Sequence, residues 1–422
     1  MMADSSTQLT SAQKDELMDQ VKQQIAIANA QELLTDMTKK CFSKCIVKPG
    51  SSIDNSEQHI FKVIEMANTK KNLCAVLYGI DDIRLEMYEI PEVGDTDVLL
   101  EMYCTGICGS DVHYWKHGRI GDFVLEKPMI IGHESSGTVI KTGRKVKHLQ
   151  KGDRVAIEPG VPCRLCSFCT GGKYNLCPEM AFCATPPIDG NLCRYYIHDA
   201  SFCFKIPDHV SLEEAACIEP LSVTVHAGKM GHITIGSKVL IMGCGPIGLC
   251  AVMTAKAMGA SKVIVTDIQQ KRLETASQLG ADYCILVKTK GDPKEIAECV
   301  KKTLGDYPDV TLDCSGHQST IQLGLLATKA GGHLIIIGMG QDKVELSITA
   351  GLVKEITISG IFRYCNDYQD ALNIVAAGKI DLKRLITHKY KIEDTVAAFE
   401  RAFTGEGDPI KILIYSKADV QL

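Results

Sequence analysis

Six short apolar runs between residues 238 and 362 constrain the fold of this chain more than any other feature: "KVLIMGCG", "KVIVTDI", "YCILV", "VTLDCSG", "HLIIIGMG" and "ITISGIF". Helix-like stretches separate them. Strands that are apolar along their whole length are buried on both faces, and alternation with helices predicts a parallel sheet covered on each side. The first run leads directly into "GCGPIG", which places Gly243, Gly245 and Gly248 at a strand-to-helix turn, and Asp267 ends the next strand. Glycines at these positions permit a tight turn and close approach of a pyrophosphate, a helix N-terminus favours the anion, and Asp267 can bond the ribose hydroxyls. Strand, helix and spaced acid coincide, so the turn reads as a dinucleotide site. An acid at 267 repels a 2′-phosphate and favours NAD over NADP, although Arg272 nearby can accommodate that phosphate.

The rest of the chain has a different texture. From about residue 70 to 221, β-rich runs such as "VLLEMY", "SGTVI" and "DRVAIEP" are separated by Gly, Pro and Asp turns, which suggests a compact β-rich domain. After Phe362 the chain is mixed and is expected to pack back on that domain. Near the start, Thr10 and Gln13 form a capping-box pattern, and Leu17, Val21, Ile25, Leu33, Leu34 and Met37 follow roughly helical spacing. A long amphipathic helix is the simplest reading, running into "CFSKC" with Cys41 and Cys45 one turn apart. The predicted organisation is α/β: a helical extension over 1–65, a β-rich domain over 66–221, a doubly wound parallel sheet over 222–360, and a return segment over 361–422.

Composition excludes several functions. The 422 residues, 45% hydrophobic, can bury sizeable cores in two or three domains. Lys plus Arg number 46 against 51 Asp plus Glu, for a net charge of −5, with no basic run interleaved with aromatics, so nucleic acid is not an expected partner. The longest uncharged run, Val239 to Ala255, is too short for a membrane span and is broken by glycines and Pro246. The first 30 residues lack the apolar core of a secretory signal. Most of the 19 cysteines are scattered singly through apolar segments, where reduced cysteine behaves as a small hydrophobe, and this suits a reducing compartment.

Two constellations carry metal chemistry. "GICGSDVHYW" offers Cys108, Ser110, Asp111, His113 and Tyr114, "GHE" offers His133 and Glu134, and "IEPL" offers Glu219. Upstream of a nicotinamide site, sulfur, nitrogen and oxygen donors with one open position suit a Zn²⁺ that acts as a Lewis acid on an alcohol. The second constellation, Cys163, Cys166, Cys169 and Cys177, reads C-x2-C-x2-C-x7-C followed by Pro178. A ferredoxin run closes with a gap of three residues rather than seven, and a disulfide knot conflicts with a reducing compartment. Four thiolates filling a tetrahedral structural zinc site remain.

From about Met66 to Ser416 the chain resembles the zinc-dependent medium-chain dehydrogenases, and within them the sorbitol dehydrogenase branch. "CTGICGSDVHYW", "GHESSGTV", "ATPPIDGNLCRYYIH", "IEPLSV", "GCGPIGL" and "FRYCN" carry the resemblance. It implies a GroES-like catalytic domain split around a Rossmann domain, NAD as cofactor, two zinc ions per chain and a homotetramer in the cytoplasm. The implied reaction moves a hydride from the C2 hydroxyl position of a polyol (sorbitol, L-iditol or xylitol) to NAD⁺; an L-threonine or other secondary-alcohol dehydrogenase is the alternative. By resemblance, Cys108, His133 and Glu134 hold the catalytic zinc, with Glu219 at the metal directly or through water. Tyr114, Glu219, Arg363 and Tyr364 bind substrate. Ile247, Asp267, Arg272, Ile337, Gly338, Met339, Ile361, Phe362 and Arg363 join the turn glycines in contacting NAD, and Ser110 and His113 are candidates for passing the proton to solvent.

Residues 2–58 resemble something unrelated, the small Tim chaperones of the mitochondrial intermembrane space. That family uses two CxxxC motifs on two helices, and only the first, Cys41 and Cys45, is present. The economical reading is a fusion, by a chimeric transcript or a mis-joined reading frame, with Met66 as the enzyme's start. The competing readings are an import chaperone subunit, which would place the chain in the intermembrane space, and a binding protein built on an inactive dehydrogenase.

Overall fold

The computed structural model describes residues 71–417 and residue 420. The expected N-terminal helix and its two cysteines lie outside the described residues. Strand pairing turns the apolar runs into a six-stranded sheet of Lys238–Met242, Lys262–Asp267, Tyr283–Leu286, Val310–Asp313, His333–Ile336 and Thr357–Gly360. Every neighbouring pair is parallel, and the spatial order is third, second, first, fourth, fifth, sixth. The order reverses between the first and fourth strands, which opens a crevice at their C-terminal ends.

Burial explains the uninterrupted apolar pattern. Val239 and Ile241 point into one core with Leu249 and Val252 of the helix Pro246–Ala257. Leu240 and Met242 point the other way, onto Val300 and Leu304 of Pro293–Leu304 and onto Leu325. Each such side chain contributes about 1.5–3 kcal/mol by leaving water, so both faces of the central strand must be apolar. The outer strand Tyr283–Leu286 alternates half-buried and exposed residues, as an edge should.

The β-rich part centres on Asp97–Gly106. One edge pairs antiparallel with Glu134–Thr142, which in turn pairs with Arg154–Ile157. Two strands share the other edge: Tyr195–Asp199 lies along residues 97–101, and the near-terminal Lys411–Tyr415 lies along residues 104–106. The chain end thus returns to pair with a strand that lies about 300 residues earlier in the sequence. The ladder between residues 97–106 and 134–142 shifts register between Met102 and Cys104, close to where His133 and Glu134 emerge. The helix Ile218–Met230 runs across the 221/222 junction toward the parallel sheet and carries Glu219 in its first turn. The fold is therefore α/β, with a β-rich part beside a doubly wound parallel sheet. Among the described residues no helix is long and apolar enough to cross a membrane.

Candidate active site

Cys108 sits at the N-cap of the helix Gly109–His117. The Cys108 N–H donates to Asp111 Oδ2 at 3.1 Å, and the Gly132 N–H donates to Asp111 Oδ1 at 3.3 Å. Asp111 therefore ties the helix to the turn that precedes His133. That turn requires glycine: Gly132 has φ of 89°, and a Cβ there would come within 2.8 Å of Thr105. His133 and Glu134 are buried, and with Cys108 they offer ligand atoms that all lie within 4.8 Å of one another.

The groups behind these donors set their state. His133 Nδ1 lies 3.3 Å from Asp111 Oδ1, a charge contact too poorly aligned for a good hydrogen bond, and it leaves Nε2 available as a donor atom. Burial opposes charge on His133, but the Asp111 carboxylate outweighs it and raises the imidazole well above its ordinary value. Glu134 Oε2 is 2.5 Å from Lys411 Nζ, which also donates to the Ile107 carbonyl at 3.2 Å. Burial opposes the ammonium as well, yet Glu134 and Cys108 keep it above the usual lysine range.

Glu219 stands outside the three-donor set but near enough to feel it. Burial pushes its carboxyl up to about 7, with His133 and Glu134 acting in opposite directions. Its Oε1 accepts a 2.9 Å hydrogen bond from Tyr364 Oη, and both residues are buried. Arg363 adopts the left-handed region at φ of 58°, rare for a side chain of its size, and its guanidinium lies 3.6 Å from the centroid of the Phe182 ring. Its Nη2 donates to Thr185 Oγ1 at 3.3 Å. Tyr114 is buried, with its phenol pushed up to about 12 by desolvation, and it feels the charges of Arg363, Asp111 and His133. Tyr114, Glu219, Arg363 and Tyr364 thus face the same buried region as the metal donors. His113 is exposed, its Nδ1 engaged by the Arg119 carbonyl at 2.8 Å, so that Nε2 is the nitrogen left to accept a proton.

The crevice of the parallel sheet opens beside Gly243, whose φ of 90° suits glycine alone. A Cβ on Gly248 would fall 1.8 Å from the Gly243 carbonyl oxygen, so the helix Pro246–Ala257 can start this close to the strand only without a side chain there. A cavity of about 470 Å³ is lined by Gly243, Gly245, Asp267, Ser315 and His317. Asp267 Oδ2 accepts from the Cys244 N–H at 2.6 Å, which braces the glycine turn, and Oδ1 accepts from the Gln269 N–H at 2.8 Å. Ile337 to Met339 and Ile361 to Arg363 follow the fifth and sixth strands and so emerge along the same edge. Arg272 Nη2 donates to the Pro409 carbonyl at 2.7 Å, which ties this residue to the C-terminal segment.

The four cysteines of the lobe also converge, with sulfurs within 4.8 Å of one another and separations of 3.9 Å for Cys163–Cys169 and 3.4 Å for Cys166–Cys169. No disulfide is formed among the described residues. A tetrahedron of thiolates around zinc has edges of about 3.8 Å, so the quartet fits the ion. The N–H groups of Leu165 and Cys166 point at the Cys163 sulfur and bring its thiol down to about 7, while desolvation and the neighbouring sulfurs push Cys169 up to about 12.

Sequence reasoning assigned no role to Lys411, Asn175 or Phe182, and it named Asp111 without one. Asp111 carried a local signal, three residues after Cys108 at a helix start. Lys411 carried none, because its partner is 277 positions away.

Comparison with known proteins gives three family matches: an alcohol dehydrogenase GroES-like domain over residues 94–208, a zinc-binding dehydrogenase family over 246–377, and a Tim10/DDP family zinc finger over 19–59. The chain is 52% identical over 344 residues to the sorbitol dehydrogenase of Mus musculus, covering 82% of this chain and 96% of that one. It is 52% identical over 349 residues to the sorbitol dehydrogenase of Gallus gallus, covering 83% and 98%. Among solved structures, an Escherichia coli oxidoreductase/dehydrogenase of unknown specificity superposes with a TM-score of 0.77 at 35% identity, over 82% of this chain and 99% of that one.

Proposed function

The chain belongs to the sorbitol dehydrogenases, a branch of the zinc-binding dehydrogenases, and from that premise we propose how its residues divide the work of the reaction. It is a zinc- and NAD-dependent oxidoreductase that takes a hydride from the C2 hydroxyl position of a polyol and yields the ketose, fructose from sorbitol. The observation that carries the reading is Glu219, a buried carboxylate held by Tyr364 beside Cys108, His133 and Glu134. By family resemblance, simple alcohol dehydrogenases place a cysteine there, and a carboxylate with neighbouring donors suits a substrate with adjacent hydroxyls.

In this assignment Cys108, His133 and Glu134 hold the catalytic ion, and Cys163, Cys166, Cys169 and Cys177 hold a structural one. When bound, zinc lowers the pKa of the reacting hydroxyl and the nicotinamide accepts the hydride. Asp111 faces His133 as a counter-charge, and Lys411 balances the charge of Glu134. Tyr364 donates to Glu219 Oε1, which leaves the other carboxylate oxygen free to accept from substrate or water. Arg363 and Tyr114 supply donors for the neighbouring hydroxyls, while Phe182 and the buried surroundings exclude bulk water. The proton leaves by way of Ser110 and His113, whose exposed ring delivers it to solvent.

Asp267 selects NAD at the ribose. By family resemblance the chain works as a homotetramer in the cytoplasm. NAD⁺ reduction measured with sorbitol, xylitol, ethanol and L-threonine, with and without a chelator, tests the assignment. Turnover of the two polyols that the chelator removes is the expected result; threonine or ethanol as the better substrate, or activity indifferent to the chelator, overturns it.

A further inference from the structure

We propose that Asn175 and Tyr174, on the turn between the third and fourth lobe cysteines, are positioning residues for the polyol: they hold the loop Phe362–Asn366 in its working shape. The proposal rests on the assignment of Arg363 and Tyr364 to substrate. Within this loop Arg363 and Asn366 both occupy the left-handed region, at φ of 58° and 60°. Asparagine tolerates that region, but a long side chain such as Arg363 holds it only where the surroundings impose it, and such backbone clusters at functional sites.

The restraint comes from the cysteine lobe. Asn175 Nδ2 donates to the Phe362 carbonyl at 2.9 Å, and Asn175 is only 7% exposed. Tyr174 Oη accepts from the Asn366 N–H at 2.9 Å and donates to Glu158 Oε1 at 2.7 Å, bridging the loop to the strand end at Ile157. The Gly172 carbonyl accepts from Cys365 Sγ at 3.1 Å and from Asn366 Nδ2 at 3.3 Å. On the far side Asp367 accepts from the Cys365 N–H at 3.0 Å and from His226 Nδ1 at 2.8 Å. The loop is thus gripped at both ends. Between the grips Tyr364 reaches Glu219 and Arg363 lies against Phe182.

Neither Asn175 nor Tyr174 belongs to the catalytic donor set, so their loss falls on the grip of substrate hydroxyls rather than on hydride transfer. In Asn175→Ala and, separately, Tyr174→Phe, the KM for sorbitol should rise about fivefold per lost hydrogen bond. The kcat and zinc content should stay near wild type, and each variant should melt at a lower temperature because a buried partner is left unsatisfied. The dissociation constant for NADH should rise by a smaller factor than the sorbitol KM, because the Gly243–Gly248 turn and Asp267 hold the cofactor besides the loop contacts at Phe362 and Arg363. Amide exchange across 361–367 in the free enzyme should accelerate in both variants. Exchange unchanged in both overturns the proposal, as does an unchanged sorbitol KM in an enzyme that turns over sorbitol. A fall in NADH affinity by the same factor as the KM rise overturns it too, since the residues would then support the whole site. If the wild-type enzyme does not oxidise polyols, the functional assignment fails instead, and the exchange measurement still decides whether the clamp exists.

Discussion

Replacing Lys411 by methionine isolates the buried charge pair behind the catalytic donors. Methionine keeps most of the volume and removes the ammonium. The Lys411 and Glu134 side chains are 3% and 2% exposed, with Nζ and Oε2 2.5 Å apart. At that separation the gross attraction is about 7 kcal/mol for an effective dielectric constant of 20. Much of it offsets desolvation, so the pair adds little net stability over an apolar substitute. Breaking it from one side strands a carboxylate in the interior, which costs about 3–5 kcal/mol. Chelator-treated Lys411→Met protein should therefore lose about that much stability in denaturant titration. Glu134→Gln added to it should restore at least about 1 kcal/mol, because the stranded charge is gone. Zinc added to Lys411→Met should narrow the gap to wild type, the metal replacing the ammonium as counter-charge. A loss below about 1 kcal/mol, or a double variant weaker than the single, would refute the reasoning.

Elemental analysis should find about two zinc ions per chain in the wild type and about one in Cys169→Ser, on the basis of four thiolates filling one tetrahedral site; a wild-type value near one would mean that the lobe is not metallated. Glu158→Gln tests the buried carboxyl that desolvation pushes up to about 7. A raised carboxylate costs stability as pH climbs from its unfolded value toward 7, so the Glu158→Gln variant should gain up to about 3 kcal/mol over wild type at pH 8 and little at pH 4. A pH-independent difference would contradict it. Asp267→Ser should raise NADP⁺ use relative to NAD⁺, measured as the ratio of kcat/KM values, because the carboxylate repels a 2′-phosphate. An unchanged ratio would move cofactor choice to other residues.

What could be read in advance was what short stretches encode. The parallel sheet was visible because burial on both faces leaves a continuous apolar run within one strand. The dinucleotide turn was visible because Gly243, Gly248 and Asp267 act on one another across a single strand–turn–helix–strand unit. The lobe was visible because its four cysteines fall within one short stretch, Cys163 to Cys177. Arg272 shows the limit of that reading: its Nη2 donates to the Pro409 carbonyl, 137 residues away on a segment no local pattern connects to it.

By itself the sequence determined the α/β architecture, the cofactor crevice, the two metal-binding clusters in outline, and the kind of chemistry they allow. The tertiary structure alone decided which charge balances Glu134, which phenol holds Glu219 and which amide fixes the loop around Arg363. Those partners stand 277, 145 and 187 residues apart along the chain. Periodicity and spacing report only on neighbours within an element or two. Such pairs are made by the return of the last strand to Asp97–Gly106 and by the packing of the 361–367 loop on the lobe and on the helix Ile218–Met230, and none of these leaves a local trace in the order of the residues.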